Sequence, residues 1–293
     1  MDVPDLHSIN HVGMAVASMD AAAARYAALG FTLTPFSMHS GAWKPGEPLQ
    51  RLGWGNRCAV FANDYLEILA SVDDTAVPER IAGYLARHQG AHIICFGTDD
   101  AAAVDARLVR AGVATSGVIP LQRDVDTPGG VRTARFERLQ FDPGATPEGY
   151  IQAARHLTPE FIHQPRYMAH ANGASAMTET ILVTAEPDAL ERRYAAYSGA
   201  PAVRDGPRRT FRFRLGSSLS IVALADARQV LPGSLLPAPP AIAGLAFRVA
   251  SLDAMRARLA AASIRHMAVD GGRRLVVPAE EAFGAALVFH SLP

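Results

Sequence analysis

The sequence predicts an α+β protein assembled from four copies of one βαβββ module. Three observations carry this expectation. The stretch NHVGMAVASMDAAAARYAALG, Asn10 to Gly30, returns in altered form as HIICFGTDDAAAVDARLVRAG, His92 to Gly112. In both, a His opens a short apolar strand, an Asp follows eight or nine residues on, and a helix runs to a Gly. Alternating strand-like segments follow each copy, and the same strand-to-helix start is met again at Thr178 and at Ile242. Such self-similarity marks a duplicated supersecondary unit.

Alternation along the first strand leaves His11, Gly13 and Ala15 on one face and Val12, Met14 and Val16 on the other. Asp20 suits the N-cap of the Ala-rich helix that follows. Tyr26 and Leu29 share one stripe of that helix, and Gly30 suits the left-handed residue past its end. Asp100 and Gly112 take the same parts in the second copy. FTLTPF, residues 31–36, reads as a strand. Residues 37–56, SMHSGAWKPGEPLQRLGWGN, read as a loop lining a pocket and carrying His39, Trp43, Arg51 and Trp54. RCAVFAN and DYLEILA then alternate as two strands joined at Asn63-Asp64, a hairpin signal.

Residues 78–89, PERIAGYLARHQ, read as a connecting helix entered at a proline. The later strands of the second copy are TSGVIPLQRDV, GVRTARFERLQF and GYIQAARHL, with a turn at Thr127-Pro128-Gly129-Gly130. TETILVTAEPDALERRYAAYSG opens a third copy with Asp188 and Gly199 in the capping roles. VLPGSLLPAPPA is a stiff connector, and IAGLAFRVASLDAMRARLAAASI opens a fourth, capped near Asp253. The chain therefore divides into residues 1–156, a linker at 157–175 with prolines and glycine but no period, and residues 176–293.

Composition narrows the class of function. Lys and Arg number 28 against 28 Asp and Glu, so no overall field favours nucleic acid or an anionic membrane. No apolar run reaches the roughly 20 residues of a bilayer span. The start MDVPDLHS lacks the basic and apolar regions of an export signal. A soluble, cytoplasmic protein is expected, with Cys58 and Cys95 as buried free thiols in apolar runs.

Superposing the first two modules on their opening strands sets His11 against His92. Superposing their last strands on Tyr65-Leu66 and Tyr150-Ile151 sets Glu67 against Gln152. In the third and fourth modules Glu179, Gly244 and Ser220 stand at those positions, so no metal-competent set survives there. Two imidazoles and a carboxylate on separate strands suit a divalent cation with open positions for water or substrate. Taken singly, a strand His is more often a hydrogen-bonded structural residue.

This arrangement resembles the vicinal oxygen chelate superfamily and, within it, the glyoxalase-like domain proteins. The resemblance rests on INHVGMAV, GNRCAVFANDYLEIL, GAHIICFG and RHLTPEFIHQPRYMAHANGA and spans the first 175 residues well. It implies that paired modules form a cupped sheet, so that four make two glyoxalase-like domains. It also implies His11, Glu67 and His92, with Gln152 as a fourth, as ligands of one divalent metal (zinc, nickel, manganese or iron).

The linker imidazoles His156, His163 and His170 would close over the pocket, with His156 and His170 moving protons, unless they serve only to satisfy irregular backbone. Trp54, Asn56, Arg57 and Asn172 would contact a small oxygen-rich substrate. Arg57, Arg132 and Arg135 would neutralise an anionic substrate or form a solvated face. The implied activity is that of a metal-dependent lyase or isomerase, and the implied assembly a homodimer. Gln152 departs from simple lactoylglutathione lyase, in which the matching position is a carboxylate base. An extradiol dioxygenase and a non-catalytic sequestering protein of the bleomycin-resistance kind are the rival expectations.

Overall fold

The computed structural model describes residues 5–42, 44–72 and 77–291, and Trp43 falls outside them. The first module runs β1 (Leu6–Ala15), α1 (Met19–Ala28), β2 (Ser37–Gly41), β3 (Gln50–Val60) and β4 (Tyr65–Ser71). Helix α2 (Glu79–Arg87) leads to the second: β5 (Gly90–Thr98), α3 (Ala101–Arg110), β6 (Ile119–Thr127), β7 (Gly130–Gln140) and β8 (Tyr150–His156). The linker holds a 3-10 turn (Pro159–Phe161) and a short α-helix, α4 (Pro165–Met168). The third module is β9 (Ala174–Thr184), α5 (Pro187–Ser198), β10 (Val203–Asp205), β11 (Arg208–Arg212) and β12 (Ser218–Ala223), followed by α6 (Ala227–Val230). The fourth is β13 (Ala241–Val249), α7 (Leu252–Ala261), β14 (Met267–Val269), β15 (Arg274–Val277) and β16 (Ala286–His290). All four are βαβββ, as the repeats predict.

Several boundaries differ from the sequence reading. Helix α1 is capped by Ser18, whose Oγ accepts from the Ala21 N–H at 3.2 Å, and Asp20 sits in the first turn. Ser251 does the same for α7, while Pro187 opens α5 behind Glu186. Asp100 is the expected cap, accepting from Ala103 N–H at 3.0 Å. Residues 31–36 form no strand, and the presumed pocket loop contains β2 and most of β3. Two glycines account for strand there: at Gly41 a Cβ would come within 2.8 Å of Leu121, and at Gly55 within 2.5 Å of the Ser37 carbonyl. Their absent side chains let backbones approach and pair.

That pairing changes the shape of the first half. β2 runs antiparallel to β6, with His39 opposite Arg123 and Gly41 opposite Leu121. The cup therefore closes into an eight-stranded barrel in the order β1-β4-β3-β2-β6-β7-β8-β5. The second half stays an open sheet, β10-β11-β12-β9-β13-β16-β15-β14. Buried Val230 and Leu231 fill its concave face, and a Cβ on Gly244 would lie 2.9 Å from Leu231. Glu179 is ion-paired with Arg208 at 3.1 Å and Ser220 bonds Thr210 at 2.9 Å. The positions equivalent to the first-half site are thus spent on packing.

The outer faces of the two sheets pack on one another through an aromatic seam, with Phe31 and Phe61 5.2 and 5.9 Å from Phe247 between ring centres. At its edge Asp64, in the β3–β4 turn, accepts the Met177 N–H of β9 at 2.9 Å. Burial pushes its carboxyl up to about 7, against the pull of that hydrogen bond and of Arg248. A raised folded-state value means that its contribution is present below the ordinary carboxylate range and is lost as pH rises through 7. Asp64→Asn keeps the acceptor without the charge. It is expected to gain roughly 2–4 kcal/mol over the parent between pH 4 and 8, read as the difference between denaturant titrations at the two pH values.

Candidate functional site

Ladder registers decide which side chains meet inside the barrel. On β1, His11 stands opposite Tyr65 of β4 and Cys95 of β5, and Gly13 stands opposite Glu67 and Ile93. On β5, Cys95 faces Gln152 of β8 and Ile93 faces Tyr150. Cross-strand partners share a face. His11, Tyr65, Glu67, Ile93, Tyr150 and Gln152 all line the barrel cavity, together with Trp54, His39, Arg123, Arg138 and His156. The free space between these side chains, counted out to the open mouth, is about 780 Å³.

His11 and Glu67 face one another, Nε2 to Oε2 at 3.9 Å, both almost wholly buried. The His11 Nδ1 lies 2.8 Å from the Asn10 side-chain oxygen, which fixes the proton on Nδ1 and leaves Nε2 as an acceptor. Tyr65 stacks on the imidazole at 4.5 Å. Asn56 ties the other Glu67 oxygen into a network: its amide nitrogen donates to Glu67 Oε1 and to His39 Nε2 at 2.9 Å, and its oxygen accepts from Arg123. Burial pushes the Glu67 carboxyl up, while Arg123 and Asn56 pull it down. Burial, then the Arg123 charge, drives His11 well below the ordinary imidazole value and His39 to about 3. Both imidazoles are therefore neutral at physiological pH.

Four expected site residues lie elsewhere. His92 points out of the barrel: its ring stacks on Tyr84 of α2 at 4.8 Å and its Nε2 bonds the His88 carbonyl at 2.8 Å. Since Tyr65 and Tyr150 are equivalent, Ile93 and not His92 occupies the place of His11, and the assignment of His92 as a ligand is corrected by one residue. Arg57 has the opposite parity to Asn56 and Cys58 and faces outward. Asn172 donates to the Leu29 carbonyl and accepts from Ala174 N–H, each at 3.0 Å, which makes it a bracket for the linker.

His170 accepts from Thr32 N–H and reaches the Val60 carbonyl, both at 3.0 Å, so neither ring nitrogen is left for proton transfer. His170→Ala is expected to cost about 2–4 kcal/mol, because a backbone donor and acceptor and the packing between Phe31 and Phe61 are lost together. Chemical denaturation reads that cost, and the cavity residues stay in place.

The linker closes the far end of the barrel with Phe161, Ile162 and Tyr167, while the mouth lies beside α2. His163 bonds the Phe61 carbonyl at 2.8 Å. His156 does join the cavity, between Phe136 and Tyr65, and neither of its ring nitrogens has a hydrogen-bond partner. Burial, then His163 and His11, holds it well below the ordinary imidazole value.

Arg123 and Arg138 stand out by no motif in the sequence, and His39 by none beyond its place in a pocket loop. Arg138 shares a strand with exposed Arg132 and Arg135, and only the buried alternation Ala134, Phe136, Arg138 sets it apart.

The donors present do not suit the metal that the resemblance implies. His11 Nε2, a Glu67 oxygen and the buried, unpartnered Gln152 Oε1 are available, but Ile93 fills the place of the second imidazole. His39 lies 3.5 Å from Glu67 Oε1, yet the Asn56 amide donates to both and the Arg123 cation backs it. Among the described residues no three His, Cys, Asp or Glu side chains are grouped to hold a cation. A centre of two imidazoles and one carboxylate is not built here.

Residues 9–198 match the family described as glyoxalase-like domain, well over half of the chain. The protein belongs to that family. Solved structures of low sequence identity share its fold. A hypothetical protein from Staphylococcus aureus aligns over 97% of this chain and 98% of its own at 12% identity and a TM-score of 0.60. A mutant 4-hydroxymandelate synthase from Streptomyces coelicolor aligns over 99% and 93% at 13% identity and 0.59. A xylose isomerase-like TIM barrel/4-hydroxyphenylpyruvate dioxygenase fusion protein aligns over all of this chain and 50% of its own, at 10% identity and 0.53. No curated protein matches this glyoxalase-like chain. No helix among its described residues is long and apolar enough to cross a membrane.

Proposed function

We propose that the N-terminal barrel of this glyoxalase-like protein is an enzyme site that moves a proton on a small carbonyl compound, an isomerase or lyase reaction run without a resident metal. The observation that carries this is the His11–Glu67 pair: two buried acceptor atoms 3.9 Å apart, facing one another in the barrel cavity. Glu67 is the base. Its raised proton affinity suits abstraction from carbon near neutral pH, where an ordinary carboxylate is too weak. Asn56 anchors one of its oxygens, leaving the other for substrate. The protonated Glu67 returns the proton to the substrate, and His11 Nε2, held in place by Asn10 and Tyr65, is left as an acceptor for a substrate hydroxyl. The oxyanion that forms on the substrate is stabilised by the buried guanidinium groups of the cavity wall.

The test is isotope exchange. The protein is held in heavy water with a panel of small keto and hydroxy-keto compounds, and loss of the proton beside the carbonyl is followed by NMR. Exchange well above the buffer rate supports the reading. Saturable binding with no exchange of any panel member would instead support a sequestering protein, the second reading, which the tight Asn56 and Arg123 hold on Glu67 favours.

A further inference from the structure

The barrel interior holds more positive than negative charge. Arg123 and Arg138 are both buried, each 6% exposed, and both line the cavity. Arg123 donates to Asn56 and lies 3.7 Å from Cys58 Sγ; Arg138 donates to Tyr150 Oη at 2.6 Å and to the Ala42 carbonyl at 3.1 Å. Every one of these partners is neutral. Burial raises the Cys58 thiol to about 11 and keeps Tyr65 protonated, and His11, His39 and His156 are uncharged.

Glu67 is the one buried carboxylate lining the cavity among the described residues, and Arg123 reaches it only through Asn56. A buried guanidinium without a counter-charge is costly, so such a cation persists where something else supplies the anion. At the mouth Arg80 lies 5.7 Å over the Trp54 ring and 4.5 Å over the Tyr150 ring, which adds flat apolar walls to the same space.

We infer that the cavity takes a small organic monoanion, a carboxylate on a flat apolar body. The carboxylate meets Arg123 and Arg138 while the body lies against Trp54, Leu52 and Ile93. A guanidinium pairs with a carboxylate through two parallel hydrogen bonds, which a neutral amide of the same shape cannot reproduce. This names the substrate class of the site proposed above and rests on that site being the binding cavity, but not on proton transfer taking place in it.

Benzoate and benzamide are the probes, because they share size and shape and differ in charge. Calorimetric titration of the whole protein is expected to show benzoate bound at least tenfold more tightly than benzamide. Arg138→Gln, which keeps an amide donor for Tyr150, should erase most of that preference, and Arg138→Lys should retain a good part of it. Glu67→Gln should bind benzoate several-fold more tightly than the parent, since a neighbouring negative charge has gone.

Equal binding of the two probes by the parent protein overturns the inference. So does an unchanged preference in Arg138→Gln. Should that variant not fold, a loss of preference in Glu67→Gln overturns it equally. Failure of isotope exchange alongside a strong benzoate preference would sink the catalytic reading and leave this one standing.

Discussion

Glu67→Gln is expected to lower the isotope-exchange rate by about a thousandfold while leaving the fold intact. The amide has the shape of the carboxylate and still accepts from Asn56, so the network of Asn56, His39 and Arg123 keeps its geometry. What it lacks is a lone pair basic enough to take a proton from carbon. Stability is expected to rise slightly, because a carboxylate held at 4% exposure beside only one bridged cation is removed. A variant that exchanges as fast as the parent would show that Glu67 serves only to hold Asn56 in place, and His156 would then be the base to test. The pH profile separates the two cases. With Glu67 as base, the rate falls as pH drops through a value above the ordinary carboxylate range. With His156, whose affinity is depressed by burial, the fall comes well below the ordinary imidazole value.

The repeat made the four modules legible because each module must bury one face of its own strand and helix, and that need leaves its period in the sequence. The last-strand equivalence of Glu67 with Gln152 and the decay of the second half were legible for the same reason. Barrel closure was not, since it depends on β2 meeting β6 across a module boundary, through glycines that carry no hydrophobic signal. Arg123 and Arg138 were hidden in turn, because an Arg on a strand reads as solvated until the opposite wall is known.

His92 shows a subtler limit. Side chains on a strand alternate, so an error of one residue in superposing two copies moves an imidazole from cavity to helix face. β1 and β5 pair with bulges at three places, and bulges are where a shift of that size enters unseen.

The same register yields a prediction of gain. Ile93→His is expected to convert the barrel into a divalent-metal site. Position 93 lies opposite Gly13, which stands opposite Glu67 on the other side, and Gly13 brings no side chain between them. The new imidazole joins His11 Nε2, Glu67 and the unpartnered Gln152 Oε1, giving the two-imidazole, one-carboxylate set that the natural chain lacks. Without metal the variant should be about 1–3 kcal/mol less stable, since an apolar side chain in a packed wall is replaced by a polar one. With nickel or zinc at a hundredfold excess over the dissociation constant, linkage returns about 2.7 kcal/mol. The melting temperature of Ile93→His should therefore climb with added metal while that of the parent stays level. His92→Ala should leave the engineered binding untouched and His11→Ala should abolish it. Metal-dependent stabilisation of the parent, lost in His92→Ala, would mean that β5 is threaded one residue away from the register described.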